Sequence, residues 1–319
     1  FMEGMGAVLI FLRLLPGLPF PKALYAAIFH SVSAFCNAGF SLFTDSFITY
    51  RGDWFMNLIL MCLIICGGIG FLVLSELKRQ GHFKRRMWSR LSLHSKIVIS
   101  TTGALIISGA FLILFMEWHN TLSALSLQDR FLASFFQSVT ARTAGFNTLA
   151  VGGMANETLF VLILLMFVGA SPGSCGGGIK TTTFASLVIL GISRLRGREH
   201  PELFHRTISE GSVSRAIGIV MISTVVVIMG TMALLMTELG QIPHAASRGK
   251  FLELLFEVVS AFGTVGLSTG ITQGLTTAGK LIITCIMFVG RLGPLVIAIA
   301  VTRRVTVRYH YAEESIMIG

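Results

Sequence analysis

The sequence predicts an all-α polytopic membrane protein made of parallel helix, pore half-helix, loop and helix repeats, set pseudo-four-fold around one axis. Three observations predict it. The chain is 53% hydrophobic with 13% charged residues and a mean hydropathy of +0.78, too little charge to cover a soluble surface. A short apolar segment ending in a polar residue, Ala or Val, Gly and a large apolar residue occurs three times. The basic residues gather in a few connections.

The copies are Val32-Ser33-Ala34-Phe35-Cys36-Asn37-Ala38-Gly39-Phe40, Ser138-Val139-Thr140-Ala141-Arg142-Thr143-Ala144-Gly145-Phe146 and Val259-Ser260-Ala261-Phe262-Gly263-Thr264-Val265-Gly266-Leu267. Aligned without gaps, the middle copy reaches back to Phe135, opposite Phe29 and Phe256. The loop glycines recur roughly every 105–120 residues, a period suited to domain-sized units rather than a solenoid.

Residues 1–15 read as an outer membrane helix ending at Pro16-Gly17. The apolar segment 22–35 is too short to span: at ~1.5 Å per residue it reaches ~21 Å of a ~30 Å hydrocarbon core. It is therefore expected to be a re-entrant half-helix, its loop at 36–41 shielded by protein or lining a watery path. Residues 54–77 are long enough to span. The second unit follows with a span at 97–118, a half-helix at 129–141, a loop at 142–147 and a long apolar segment at 158–195. The third has a span at 216–236, a half-helix at 251–262, a loop at 263–268 and a span at 280–301. Two spans and one re-entrant turn per unit give every unit the same orientation, unlike inverted transporter repeats.

The boundaries are expected at 1–80, 81–200 with its inner helix broken at 169–180, and 201–305, followed by a tail at 306–319. Three such loops close a path poorly, whereas four close it well. The chain starts at Phe1 with no signal-peptide pattern. The expectation is that a first unit precedes these three, and that the outer helix of 1–80 is truncated.

The net charge of +10 is confined to three connections. Lys78, Arg79, Lys84, Arg85, Arg86, Arg90 and Lys96 flank one; Arg194, Arg196, Arg198, Arg206 and Arg215 flank another; Arg303, Arg304 and Arg308 follow the last span. This asymmetry places those segments and the C-terminus in the cytoplasm, with the filter loops facing outside, and argues against nucleic-acid binding. Cys36, Cys62, Cys66, Cys175 and Cys285 lie in apolar or glycine-rich segments, without the ligand spacing of a zinc site.

Thr264-Val265-Gly266 repeats the first three residues of the potassium-channel filter loop, whose backbone carbonyls replace an ion's hydration shell. The candidate filter is Cys36, Asn37, Ala38 and Gly39 with Arg142, Thr143, Ala144 and Gly145, and with Gly263, Thr264, Val265 and Gly266. Gly39, Gly145 and Gly266 permit the strained backbone that lets carbonyls point one way. The half-helices would aim their partly negative C-terminal ends at the membrane centre, which favours a cation. The side chains of Asn37, Thr143, Thr148 and Thr264 are read as support by hydrogen bonding. Arg142 is expected to face away and to pair with a carboxylate or with backbone carbonyls.

A second feature interrupts the segment 158–195: Gly169-Ala170-Ser171-Pro172-Gly173-Ser174-Cys175-Gly176-Gly177-Gly178-Ile179-Lys180. Pro and clustered Gly break the helix there. A phosphate-binding P-loop fails on spacing, because Ile179 separates Gly178 from Lys180, and on context, because no strand precedes it. The remaining readings are a movable obstruction below the filter and a passive or ion-coordinating kink. Arg291 is read as an electrostatic barrier or a donor holding this glycine-rich stretch; its alternative is a structural ion pair. The runs Gly67-Gly68-Ile69-Gly70 and Gly290 to Gly293 mark close helix approach or bending.

The loops and the stretch 169–183, above all Ser138-Val139-Thr140-Ala141-Arg142-Thr143-Ala144-Gly145-Phe146-Asn147-Thr148 and Gly176-Gly177-Gly178-Ile179-Lys180-Thr181-Thr182-Thr183-Phe184, resemble the Trk/Ktr/HKT superfamily of cation transporters, nearest its bacterial KtrB-type membrane subunits. The resemblance covers essentially the whole chain. It implies four units around one potassium path, with Gly39, Gly145 and Gly266 as the second to fourth filter glycines and the first absent here. It also implies that 169–180 is the intramembrane gate, with Arg291 beneath the filter. A homodimer is implied, with a cytosolic nucleotide-binding ring of the KtrA type docked on a subunit of the bacterial inner membrane. The transported ion would be K+, with Na+ as an activator in some members. No residue is expected to be catalytic. The alternatives are a poorly selective or Na+-conducting member, and an ATP-driven pump or membrane enzyme. The latter lacks a nucleotide motif and an acid–base pair within the membrane.

Overall fold

The structure, a computed structural model, describes residues 1–80, 87–198, 200–240 and 242–293. It is helical, with helices α1 (Met2–Leu14), α2 (Phe20–Phe35), α3 (Trp54–Ile69), α4 (Phe71–Arg79), α5 (Met87–Arg90), α6 (Leu93–Met116), α7 (Leu127–Thr140), α8 (Asn156–Phe167), α9 (Thr181–Leu195), α10 (Glu210–Leu234), α11 (Lys250–Gly263) and α12 (Thr277–Leu292). A small antiparallel hairpin, β1 (Glu202–Leu203) and β2 (Arg206–Thr207), joins α9 to α10. Side-chain oxygens of Asp53, Ser92, Ser126 and Thr276 accept first-turn N–H groups at 3.1–3.2 Å, fixing where α3, α6, α7 and α12 begin.

The helices form three units in which an outer helix, a short helix and an inner helix pack together: α1 with α2 and α3, α6 with α7 and α8, α10 with α11 and α12. The short helices hold 16, 14 and 14 residues. At ~1.5 Å per residue they fall short of a ~30 Å core. The 24 residues of α6, and α10 extended by a π-turn to Leu239, are long and apolar enough to cross. The first unit packs on the second through α3 with α7, and the second on the third through α8 with α11.

One expected span is corrected. Instead of one helix over 54–77, α3 and α4 meet at 99°. Gly70 at the corner has φ 94°, and a side chain there would run into the Pro172 carbonyl. Apolar length reports that a segment is buried, not that it is straight. The third inner helix stops at the same register, at Gly293 with φ 84°. The remainder of the expected span 280–301, and the tail 306–319, lie outside the described residues.

In each unit the end of the outer helix is tied to the start of the inner one. Arg13 Nε pairs with Asp53 at 2.5 Å. Glu117 accepts from Ala155 N–H at 2.8 Å, and Glu238 from the Thr276 hydroxyl at 2.6 Å. Glu117 is fully buried and also accepts from Asn120 and Thr121. Glu117→Ala leaves these donors unpaired and is expected to cost about 3 kcal/mol. Thermal unfolding of the detergent-solubilised protein measures it; an unchanged midpoint would remove this tie from the account of the fold.

Candidate functional site

The three loops meet. Were Gly39 an alanine, its methyl carbon would lie 2.6 Å from the Ala144 carbonyl oxygen and 3.1 Å from Gly145 Cα. A methyl on Gly145 would strike the Val265 carbonyl and come within 3.2 Å of Gly39 Cα, and one on Gly266 would lie 3.6 Å from Gly145 Cα. The three glycines have φ of 73°, 83° and 94°. Two positions earlier Asn37, Thr143 and Thr264 are also left-handed, with φ of 50°, 70° and 50°. A β-branched residue there is strained, and such strain concentrates at functional sites.

A hydroxyl in the last turn of each short helix fastens the carbonyl that follows the glycine. Ser33 donates to Phe40 at 2.8 Å, Thr140 to Phe146 at 2.6 Å and Ser260 to Leu267 at 2.6 Å. These bonds correct the gap-free alignment. Thr140, not Val139, does the work of Ser33 and Ser260, so Phe136 rather than Phe135 falls on Phe29 and Phe256. The middle loop is one residue shorter, with no counterpart of Cys36 and Gly263. Arg142 consequently falls on Phe35 and Phe262. It lines a small gap with Ile64, Ile65, Gly68, Ile106 and Val139. Its Nε has no hydrogen-bond partner among the described residues, so the expected pairing of that atom is not seen.

The corrected register exposes a position that sequence reading missed: His30, Gln137 and Glu257. His30 accepts from Leu42 N–H at 3.1 Å, while Glu257 accepts from Thr269 N–H at 3.3 Å and from the hydroxyls of Ser268 and Thr272 at 2.5 and 2.8 Å. Gln137 is fully buried, and neither amide atom has a partner among the described residues. A polar residue three positions before each of these hydroxyls, His30 before Ser33, Gln137 before Thr140 and Glu257 before Ser260, was the available signal.

The polar left-handed residues reach neighbouring elements. The Asn37 and Thr143 side chains meet at 3.1 Å; with the Asn37 amide oxygen accepting, its NH2 reaches the carbonyls of Ile64 and Ala34 at 3.3 and 3.2 Å. Thr264 accepts from Gly177 N–H at 3.0 Å. The stretch 168–180 thus packs directly against the second and third loops. Side chains at Gly176 and Gly177 would collide with Thr143 and Thr264, and one at Gly178 would come within 3.3 Å of Gly263 Cα. On its other side the stretch is held at the α3–α4 corner, with Ser171 N–H donating to Gly68 at 3.0 Å and Phe71 N–H to Gly173 at 3.1 Å. Lys180 donates to the Gly176 carbonyl, and Arg291 to that of Cys175. No carboxylate pairs with Arg291 among the described residues. A cavity of about 470 Å³ opens beside these groups, bordered by Cys36, Thr264, Gly266, Glu257, Thr272 and Arg291.

Short helices that turn back at strained glycine loops, with irregular backbone packed against them, define an all-α polytopic membrane protein. The chain belongs to the TrkH family of cation transport proteins, whose model matches residues 15–308; this is a family of transporters and not of enzymes. It is 41% identical over 312 residues to Ktr system potassium uptake protein B of Bacillus subtilis, covering 97% of this chain and 67% of that one. It is 35% identical to the protein of the same description from Vibrio alginolyticus, covering 99% and 68%. With the potassium/sodium uptake protein NtpJ of Enterococcus hirae it shares 36% identity, covering 100% and 69%. The crystal structure of the potassium transporter TrkH from Vibrio parahaemolyticus superposes with a TM-score of 0.74 at 20% identity, covering 94% of this chain and 62% of that one. That likeness shows the fold.

Thr264→Val removes the acceptor of Gly177 N–H without changing side-chain size much. It is expected to loosen the stretch 171–177 and raise amide exchange there severalfold at constant overall stability. Hydrogen-exchange mass spectrometry reads this, and unaltered protection would show that Thr264 does not hold the stretch.

Proposed function

We propose that this chain forms three walls of a potassium uptake path in which backbone carbonyls select the ion and the stretch 169–180 gates it. The observation that carries the reading is the convergence of Gly39, Gly145 and Gly266, each two residues after a left-handed polar residue. Carbonyls such as those of Ala144 and Val265, which lie against Gly39 and Gly145, would take the place of hydration water. The cavity lies between the first and third loops, so a fourth wall fits on that side, from a further unit of the same kind. Transport is passive, down the electrochemical gradient.

The gate reading is supported by the ties of 171–177 to α3, Thr264 and Arg291, which hold it across the inner end of the loops. In this reading Arg291 acts mainly as the donor that holds the stretch. The relatives described as Ktr system proteins support a place in a multi-subunit system, here a homodimer carrying a cytosolic nucleotide-binding ring. The basic connections support a cytoplasmic-membrane location with filter loops outside. A second reading, conduction of Na+ as well as K+ or activation by Na+, is favoured by the potassium/sodium description of the Enterococcus relative.

Rubidium uptake by cells lacking their own potassium systems, expressing the full-length gene, tests the filter. Gly145→Ser is expected to reduce uptake at least tenfold or to lose preference over Na+, because a side chain there meets the Val265 carbonyl; intact, selective uptake would sink the assignment. Deleting residues 171–177 is expected to raise flux severalfold and to relax dependence on the cytosolic partner. Unchanged flux in a well-expressed deletion would assign the stretch a passive role.

A further inference from the structure

The end of α3 seats two segments side by side. A side chain on Gly67 would strike the Phe35 carbonyl and come within 2.9 Å of the Asn37 side chain, and one on Gly70 would strike the Pro172 carbonyl. Between them, Ser171 N–H donates to the Gly68 carbonyl at 3.0 Å. The Asn37 side chain also meets Thr143 at 3.1 Å, and a side chain on Gly176 would run into that same Thr143. The first loop and the stretch 171–177 are therefore neighbours from Gly67 to Thr143, and each carries one cysteine, Cys36 and Cys175. Both are free and half-buried, and their thiols are close enough to interact. We propose that Cys36 and Cys175 are an oxidisable pair whose disulfide ties the stretch to the first loop.

Both partners are held in place. Cys36 ends α2, its N–H donating to the Val32 carbonyl at 2.9 Å and its thiol to the Glu3 carboxylate at 3.8 Å. The Cys175 carbonyl accepts from Arg291, and the next one, that of Gly176, accepts from Lys180. Cys36 and Arg291 border the cavity of about 470 Å³ beside the loops, which admits a small oxidant. Cys62 and Cys66 also interact, but both lie on α3, where a bond would join a helix only to itself. With a hydroperoxide as oxidant, the sulfur of one thiol takes the terminal oxygen of the peroxide, and the thiol proton leaves with the alcohol. The second sulfur then displaces the hydroxyl of that sulfenic acid, and its proton leaves with the water. Each sulfur loses one electron and the hydroperoxide gains two. A dithiol reverses the step by exchange and becomes a disulfide itself. Thiols that a cell keeps reduced form such a bond transiently, which suits a sensor.

The bond itself depends only on the fold, whereas its effect on flux rests on the gating reading of 169–180. The test treats membrane vesicles from cells expressing the full-length gene with cumene hydroperoxide, then maps disulfides by mass spectrometry and measures rubidium uptake. A peptide pair joined through Cys36 and Cys175 is expected, with uptake falling severalfold and recovering in dithiothreitol. A variant with Cys62→Ser, Cys66→Ser and Cys285→Ser is expected to keep that reversible loss, and Cys175→Ser to be spared it, each compared with itself before oxidation. Cross-linking with unchanged uptake upholds the pair and counts against the gate. Absence of the joined peptides from the oxidised wild type overturns the proposal.

Discussion

Non-helical backbone at membrane depth has no water to satisfy it, and each of its polar groups must find a protein partner or an ion. Six residues held in left-handed conformation meet that constraint here, at Asn37, Thr143 and Thr264 and at the three glycines that follow. For the threonines this conformation costs on the order of 1–3 kcal/mol each. The surrounding bonds offset the strain. Hydroxyls of Ser33, Thr140 and Ser260 take the carbonyl beyond each glycine, and the side chains at the strained positions are themselves engaged with neighbouring elements. The outer-to-inner ties through Asp53, Glu117 and Glu238 hold the helices from which these loops project.

The repeats perform one task with different chemistry. At the position of His30, Gln137 and Glu257, an imidazole and a carboxylate fasten the strand beyond the glycine, while the amide between them makes no such bond. The carboxylate copy also borders the open cavity. A path lined by such unlike walls is asymmetric in charge even where its backbone is nearly symmetric. In the path proposed above, a passing cation would meet one side more strongly than the others.

Much of this was readable from residue order. The three short helices lie within two residues or so of where hydropathy and length placed them, and the break between α8 and α9 falls where Pro172 and the glycines put it. Glycine spacing misled in one place. Aligning on Gly39, Gly145 and Gly266 hid the missing residue before Thr143, because an alignment without gaps cannot show where a loop is shorter. The hydrogen bonds of Thr140 reveal it. The corner at Gly70 was equally hidden, since α3 and α4 together are as apolar as a straight span. Contacts such as Thr264 with Gly177 join residues far apart in sequence and leave no local signature, whereas Arg291 as a donor to the glycine-rich stretch was one of the readings of its position.

The corner at Gly70 and the stop at Gly293 give the inner helices a property beyond their shape. All three are already interrupted at one level, so shifting the stretch between α8 and α9 need not melt any helical turn. What opposes displacement is a handful of cross-links: Ser171 to Gly68, Phe71 to Gly173, Gly177 to Thr264 and Arg291 to Cys175. At about 1 kcal/mol net for an ordinary bond, their sum lies within the range that binding of a partner or ligand supplies. On the gating reading proposed above, the stretch would act as a latch with a few discrete teeth, whose release belongs to the microsecond-to-millisecond scale of loop motions rather than to that of unfolding.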